Sequence, residues 1–192
     1  MPRTVAFLRA INVGGHVVRM ERLREVATAL GLQGVETFLA SGNLIFDGEA
    51  TAGLGGRLEA GLRAALGYDV AVFLRGEAEL AALVHGHPFP EADLAVAGAF
   101  CVGFLDAPLT PEAERILMAF RTDQDAFRTS GRAFHWLCRV KQSESTFTAG
   151  AFEKATGLRA TLRGMNTLRR LAERLEAPSA PASARTRPPR GR

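Results

Sequence analysis

The chain predicts an α+β fold made of two successive β-α-β-β-α-β passes, each followed by a further helix and packed together as one compact unit. Three observations carry this expectation. Short β-rich apolar runs alternate with stretches whose apolar positions recur every three or four residues, glycines stand where several of those stretches end, and the order of elements in the first half returns in the second.

Thr4-Val5-Ala6-Phe7-Leu8 reads as a short buried strand, with Arg3 before it and a glycine-containing loop after it. Met20, Leu23, Val26, Ala27 and Leu30 recur at helical spacing, and Gly31 supplies a C-terminal cap. Val35–Leu39 and Leu44–Phe46 are two strand runs joined by Ala40-Ser41-Gly42-Asn43, a turn composition. A second helix runs from about residue 53 to 66 on Leu54, Leu58 and Leu62, weakened by Gly55, Gly56 and Gly61 and closed by Gly67. Val70–Leu74 is a fourth strand. A helix follows from Glu77 to about Val84, stopped by His87-Pro88-Phe89-Pro90. This order is the split βαβ, or ferredoxin-like, unit.

The second half repeats it. Phe100–Leu105 is a strand; Thr110 and Pro111 open a helix to about Phe120, as N-cap and first helical residue. Ala126–Ser130 and Ala133–Cys138 form a hairpin around Gly131-Arg132. A helix through Phe147, Ala151, Phe152 and Ala155 ends at Gly157, a short strand covers Arg159–Arg163, and Leu168, Leu171, Ala172 and Leu175 mark the last helix. The expected division is residues 1–88 and 98–176, with Pro88 to Ala97 as linker and residues 177–192 as a tail. The periodicity is one of element order; no residue-by-residue repeat stands out.

Charge placement decides how the basic pI of about 9.8 is read. The last sixteen residues hold Arg185, Arg187, Arg190 and Arg192, four of the 24 basic side chains, and none of the 20 acidic ones, so the rest of the chain is formally neutral. That Ala-, Pro- and Arg-rich tail has nothing to bury and is expected to be disordered, with at most weak phosphate contact to nucleic acid. No apolar run approaches the roughly 20 residues of a membrane span and the N-terminus has no signal-peptide layout, so a cytoplasmic protein is expected. Cys101 and Cys138 sit in apolar runs and read as buried reduced thiols.

Leu8-Arg9-Ala10-Ile11-Asn12-Val13-Gly14-Gly15, the helix start Met20-Glu21-Arg22-Leu23 and the turn Ser41-Gly42-Asn43-Leu44 resemble the bacterial domain-of-unknown-function family numbered 1697. Thr161-Leu162-Arg163-Gly164-Met165-Asn166-Thr167 is similar to a third segment of that family, and the resemblance extends over nearly the whole ordered chain. Here Ala10 replaces a family glycine and Gly164-Met165 replace Asn-Trp. The resemblance implies the α+β fold already described and no particular biochemistry.

Arg9, Asn12, Gly14 and Gly15 stand where a strand hands over to a loop before a helix. Successive backbone N–H groups with a guanidinium beside them suit a phosphate or carboxylate; the alternative is a glycine turn, with Asn12 bonded to the loop and Arg9 paired to a carboxylate. The spacing matches neither a Walker loop nor a dinucleotide fingerprint. Ser41-Gly42-Asn43 is expected to be turn chemistry at the opposite end of the sheet from the opening loop. Asn166 is expected to N-cap the last helix, with ligand contact alongside Arg163 as the alternative. His85-Gly86-His87-Pro88 lacks partners at metal-ligand spacing, so neither a metal nor a cofactor is expected. Cys138 shares its strand face with Trp136 and not with His135, which argues against a Cys–His couple there.

The leading expectation is a module that binds a small phosphate-containing anion through Arg9, Asn12, Gly14 and Gly15, with Arg163 and Asn166 across the interface between the halves. Sequence-tolerant nucleic-acid binding, an enzyme that orients an anionic substrate with Arg9 and uses His16 or His135 as acid–base group, and a protein–protein module are the alternatives.

Overall fold

The computed structural model describes residues 1–9, 11, 17–39, 42–86 and 88–176. Its first half comprises β1 (Arg3–Arg9), α1 (Met20–Ala29), β2 (Gln33–Thr37), β3 (Asn43–Asp47), α2 (Leu54–Leu66), β4 (Ala71–Gly76) and α3 (Glu77–His85). After a short α4 (Glu91–Ala95) the second half comprises β5 (Ala99–Leu105), α5 (Pro111–Ala119), β6 (Asp125–Ser130), β7 (Ala133–Cys138), α6 (Ala149–Thr156), β8 (Ala160–Gly164) and α7 (Met165–Glu176). The strands form two four-stranded antiparallel sheets, ordered β2-β3-β1-β4 and β6-β7-β5-β8.

Each half thus has the split βαβ arrangement its element order predicts. Local chemistry sets the boundaries where expected: the Thr110 hydroxyl accepts the Ala113 N–H at 3.2 Å, and Gly67 and Gly157 end α2 and α6 at positive φ. Several expectations need correction. The Pro88–Ala97 linker contains α4. Phe147 lies before α6, whose cap is Thr148, because its ring is needed in an aromatic cluster with Phe120, Phe127, Phe134 and Trp136. Strand β2 ends at Thr37, two residues early, where the chain turns away with Leu39 at φ 58°.

Side-chain alternation along the central strands creates three cores. Ala6 and Leu8 of β1 face α1 and α2, together with Leu23, Leu44, Phe46, Leu58, Leu62 and Val72. Val5 and Phe7, the next residues over, face the other sheet and pack with Ile45, Phe73, Val102, Phe104, Leu80 of α3 and Leu168 and Leu171 of α7. Leu105, Phe127, Phe134, Trp136 and Phe152 make the outer core of the second sheet. The middle core joins the halves: Phe7 stacks on Phe104 with ring centroids 4.0 Å apart and planes 12° from parallel. Among the described residues no helix is long and apolar enough to cross a membrane.

Gly103 is a packing requirement, since a Cβ there would lie 2.2 Å from Cζ of Phe134, whose ring is fully buried and held by Phe127, Phe147 and Phe152. Gly56, in the first turn of α2, has open space around the same position. Gly103→Ala is expected to cost about 1–3 kcal/mol and Gly56→Ala to gain up to about 1 kcal/mol in urea-induced unfolding, the first from overpacking and the second from lower unfolded-state entropy.

Candidate functional site

Because β3 runs antiparallel to β1, the turn that precedes β3 lies beside the end of β1 and not at the far end of the sheet. Phe7 pairs with Asn43, and the Leu8 N–H donates to the Gly42 carbonyl at 2.8 Å. The opening loop and the Gly42-Asn43 turn therefore start from one corner. Asn12, Gly14, Gly15, Ala10 and His16 lie outside the described residues, as do Ala40, Ser41, His87 and the tail 177–192.

Arg163, from the last strand of the other half, reaches this corner. Its Nε donates to Asn43 Oδ1 at 2.9 Å, Nη1 to Thr161 Oγ1 and the Leu162 carbonyl at 2.9 Å, and Nη2 to the carbonyls of Leu8 at 2.8 Å and Gly42 at 3.4 Å. Five hydrogen bonds to described residues match the five N–H groups of a guanidinium, and all end on neutral acceptors. The group also lies 5.7 Å over the Phe7 ring, and burial pulls its pKa down to about 10. Asn43 is itself fully buried and donates to the Phe38 carbonyl at 3.0 Å. Segments around residues 8, 42 and 163, far apart in the chain, are thus tied by one side chain.

Arg9 points elsewhere. It shares the side of β1 that carries Phe7 and pairs with Glu153 of α6 at 2.5 Å, with about a third of its side chain exposed. Arg9 and Arg159 line a cleft of about 390 Å³ between the halves, together with Glu59, Asp69, Val70 and Ala71. Arg159 bridges Glu59 at 2.9 Å and Asp106 at 3.0 Å. The two glutamates do a second job: Glu59 accepts the Val72 N–H of edge strand β4 at 3.0 Å, and Glu153 the Ala160 N–H of edge strand β8 at 2.8 Å. Outward-facing amides that would invite another strand are satisfied in this way.

Asn166 is not the N-cap of the last helix. Strand β8 passes into α7 without a loop, so Asn166 falls inside the first turn, exposed, with its Oδ1 accepting from Arg169 Nη1 at 3.3 Å. It lines a separate cleft of about 430 Å³ with Gly164, Met165, Thr167, Arg169, Cys101 and Gln142, sharing no residue with the Arg9 cleft.

The remaining polar candidates are interior. His135 is buried in the middle of the fold with Nε2 3.2 Å from the Leu83 carbonyl of α3 and its ring against Phe100, and burial lowers its pKa. Cys138 joins Trp136 in the outer core of the second sheet, on the opposite strand face from His135. Cys101 and Cys138 are free and buried, and burial pushes the Cys101 thiol up to about 11. Phe7, Phe73, Phe104, Phe127, Phe134, Phe147, Phe152 and Trp136 are all essentially inaccessible, so these rings are not available for stacking on bases.

A family model described as a protein of unknown function (DUF1697) matches residues 1–135. That span includes the opening loop and the Gly42-Asn43 turn and stops short of Arg163. A conserved bacterial protein from Streptococcus pneumoniae, SP0830, has a similar structure, with a TM-score of 0.70 at 20% identity over 91% of this chain and 99% of that one. No curated protein matches the chain.

Burial keeps His135 neutral in the fold, whereas the unfolded chain protonates it near its ordinary value of 6.5. The unfolded state then binds more protons below that pH, so this contribution to stability is complete above about pH 6.5 and declines as pH falls toward the lowered folded value. Unfolding midpoints measured from pH 7.5 down to 5.5 should fall more steeply for the wild type than for His135→Gln, which keeps a donor for the Leu83 carbonyl but cannot titrate.

Proposed function

The chain belongs to the DUF1697 family of proteins of unknown function, and from its geometry we propose that it is a binding module for a small phosphate-containing anion seated at the end of β1, with Arg9 as the anchoring cation. The observation that supports this is the placement of Arg9. Among the described residues of the six singled out from the sequence, Arg9 is the one that both lines the cleft between the halves and stands at the root of the opening loop. Arg159 brings a second guanidinium to the same cleft.

Every cation in the cleft already has a carboxylate partner, and this sets the chemistry of binding. A phosphate carries more charge than Glu153 and accepts two parallel N–H bonds from a guanidinium, so it can exchange with that carboxylate on Arg9. Glu153 keeps its hydrogen bond to the Ala160 amide when Arg9 is released, so the exchange does not leave it without a donor. Arg163, with its N–H groups already bonded inside the protein, supports the corner from behind.

A thermal-shift screen of inorganic phosphate, nucleotides and sugar phosphates tests this. A ligand at about 100 times its dissociation constant should stabilise the protein by about 2.7 kcal/mol, a rise of several degrees, and Arg9→Ala should abolish the rise. A rise that survives Arg9→Ala but disappears in Asn166→Ala would move the ligand to the separate cleft at the start of α7. No rise with any phosphate compound would defeat the reading.

A further inference from the structure

The two halves meet through equivalent positions, several of which hold the same residue type. Leu74-Arg75-Gly76 ends β4 ahead of α3, and Leu162-Arg163-Gly164 ends β8 ahead of α7. Leu8 N–H donates to the Gly42 carbonyl at 2.8 Å; Leu105 N–H donates to the Arg132 carbonyl, in the equivalent turn, at 2.9 Å. Arg163 bonds the Leu8 and Gly42 carbonyls and lies 5.7 Å over Phe7. Arg75 bonds the Leu105 carbonyl at 2.7 Å and that of Arg132, and lies 5.2 Å over Phe104. Phe7 and Phe104 stack on each other. Each half thus sends one arginine over the phenylalanine pair, Arg163 onto the strand end and hairpin turn of the opposite half and Arg75 onto those of the second half from the first.

The two corners are not used alike. Glu79, four residues after Arg75, pairs with Arg75 at 3.1 Å and with Arg132 at 2.8 Å, so that corner is tied by its own ion pairs. The residue four after Arg163 is Thr167 and the residue matching Arg132 is Gly42, so these two positions bring neither an acid nor an arginine to the second corner, where Ile11 packs against Gly42. It holds instead the buried amide of Asn43, which bonds Arg163 on one side and the Phe38 carbonyl on the other. The corner held by Arg163 is also the one from which Arg9 extends, since Arg9 follows Leu8 at the end of β1.

We infer that Arg163 and Asn43 are positioning residues: they set the spacing between the end of β1 and the Gly42 turn, and so the place of Arg9, whereas Arg75 with Glu79 is a lock between the halves with no part in binding. This rests on the anion-binding reading for its ligand but not for its geometry. Lysine can replace the charge of Arg163 but not a planar group that bonds five acceptors at once.

The experiment compares Arg163→Lys with Arg75→Lys in the full chain, using inorganic phosphate as the probe and amide hydrogen exchange at Leu8 and Leu105 as paired reporters. Arg163→Lys should speed exchange at Leu8 and not at Leu105, and weaken phosphate binding by about tenfold, the lower end of what loss of a supporting residue behind a binding group costs. Arg75→Lys should do the reverse at the two amides and leave phosphate affinity unchanged. Asn43→Asp, which keeps an acceptor for Arg163, should restrain Leu8 better than Asn43→Leu. Equal loosening of both amides by either arginine variant, or equal loss of phosphate affinity, would overturn the assignment and make both arginines locks. Failure of the wild type to bind phosphate would defeat the functional reading alone, and the reciprocal exchange pattern would still decide the positioning.

Discussion

The fold turns on a stacked pair of phenylalanines capped by two arginines. Phe7 and Phe104 come from the strands at the centre of the two sheets, and their rings meet where the halves touch. Stacking alone would leave the strand ends free to slide. Arg75 and Arg163 remove that freedom, since each passes over a ring and ends on backbone carbonyls of the second and first half respectively. Burying a guanidinium is costly, and the cost shows in both pKa values, which burial draws down to about 10. Arg163 offsets it with bonds from all three nitrogens, Arg75 with bonds from Nη1 and Nη2 and the ion pair of its Nε with Glu79. A tight hydrophobic contact and a directional polar one thereby fix the same interface.

That interface also explains the arrangement of the charged cleft. With the central strands locked, edge strands β4 and β8 come to the same side, and the glutamates that cover their amides, Glu59 and Glu153, are within reach of Arg159 and Arg9. The cleft is a consequence of protecting two sheet edges with carboxylates that each attract a cation. Those pairs hold the Arg9 and Arg159 guanidinium groups in place at the cleft.

Much of the architecture was legible because its signals are local. Glycine at a helix end, Thr-Pro at a helix start and period-two alternation act over a few residues, so Gly67, Gly157 and Thr110 behave as their types require. Errors came where a distant partner decides. Phe147 reads as helical by spacing but serves an aromatic cluster, and Asn166 reads as a cap only if a loop separates strand from helix. The repeat of Leu-Arg-Gly at 74–76 and 162–164 was available as a signal for Arg75 and Arg163, but three residues gain meaning only once both are seen to end equivalent strands. Glu153 gave no signal, and Asn43 stood out only as part of a turn and of a family motif: a helix glutamate and a turn asparagine have no particular partner until the fold supplies one.

The amino-acid sequence determined the element order, the α+β class with two split βαβ passes, and the family to which the chain belongs, since patterning, caps and motifs are encoded residue by residue. Tertiary structure decided which segments meet. Antiparallel pairing of β1 with β3 put the Gly42 turn beside the opening loop, and the packing of one sheet on the other delivered Arg163 to that corner and turned Arg9 to Glu153. The physical reason is that a strand's own residues specify its two faces, whereas the neighbour on each face, and the acceptor a long side chain reaches, depend on the energy of the assembled whole.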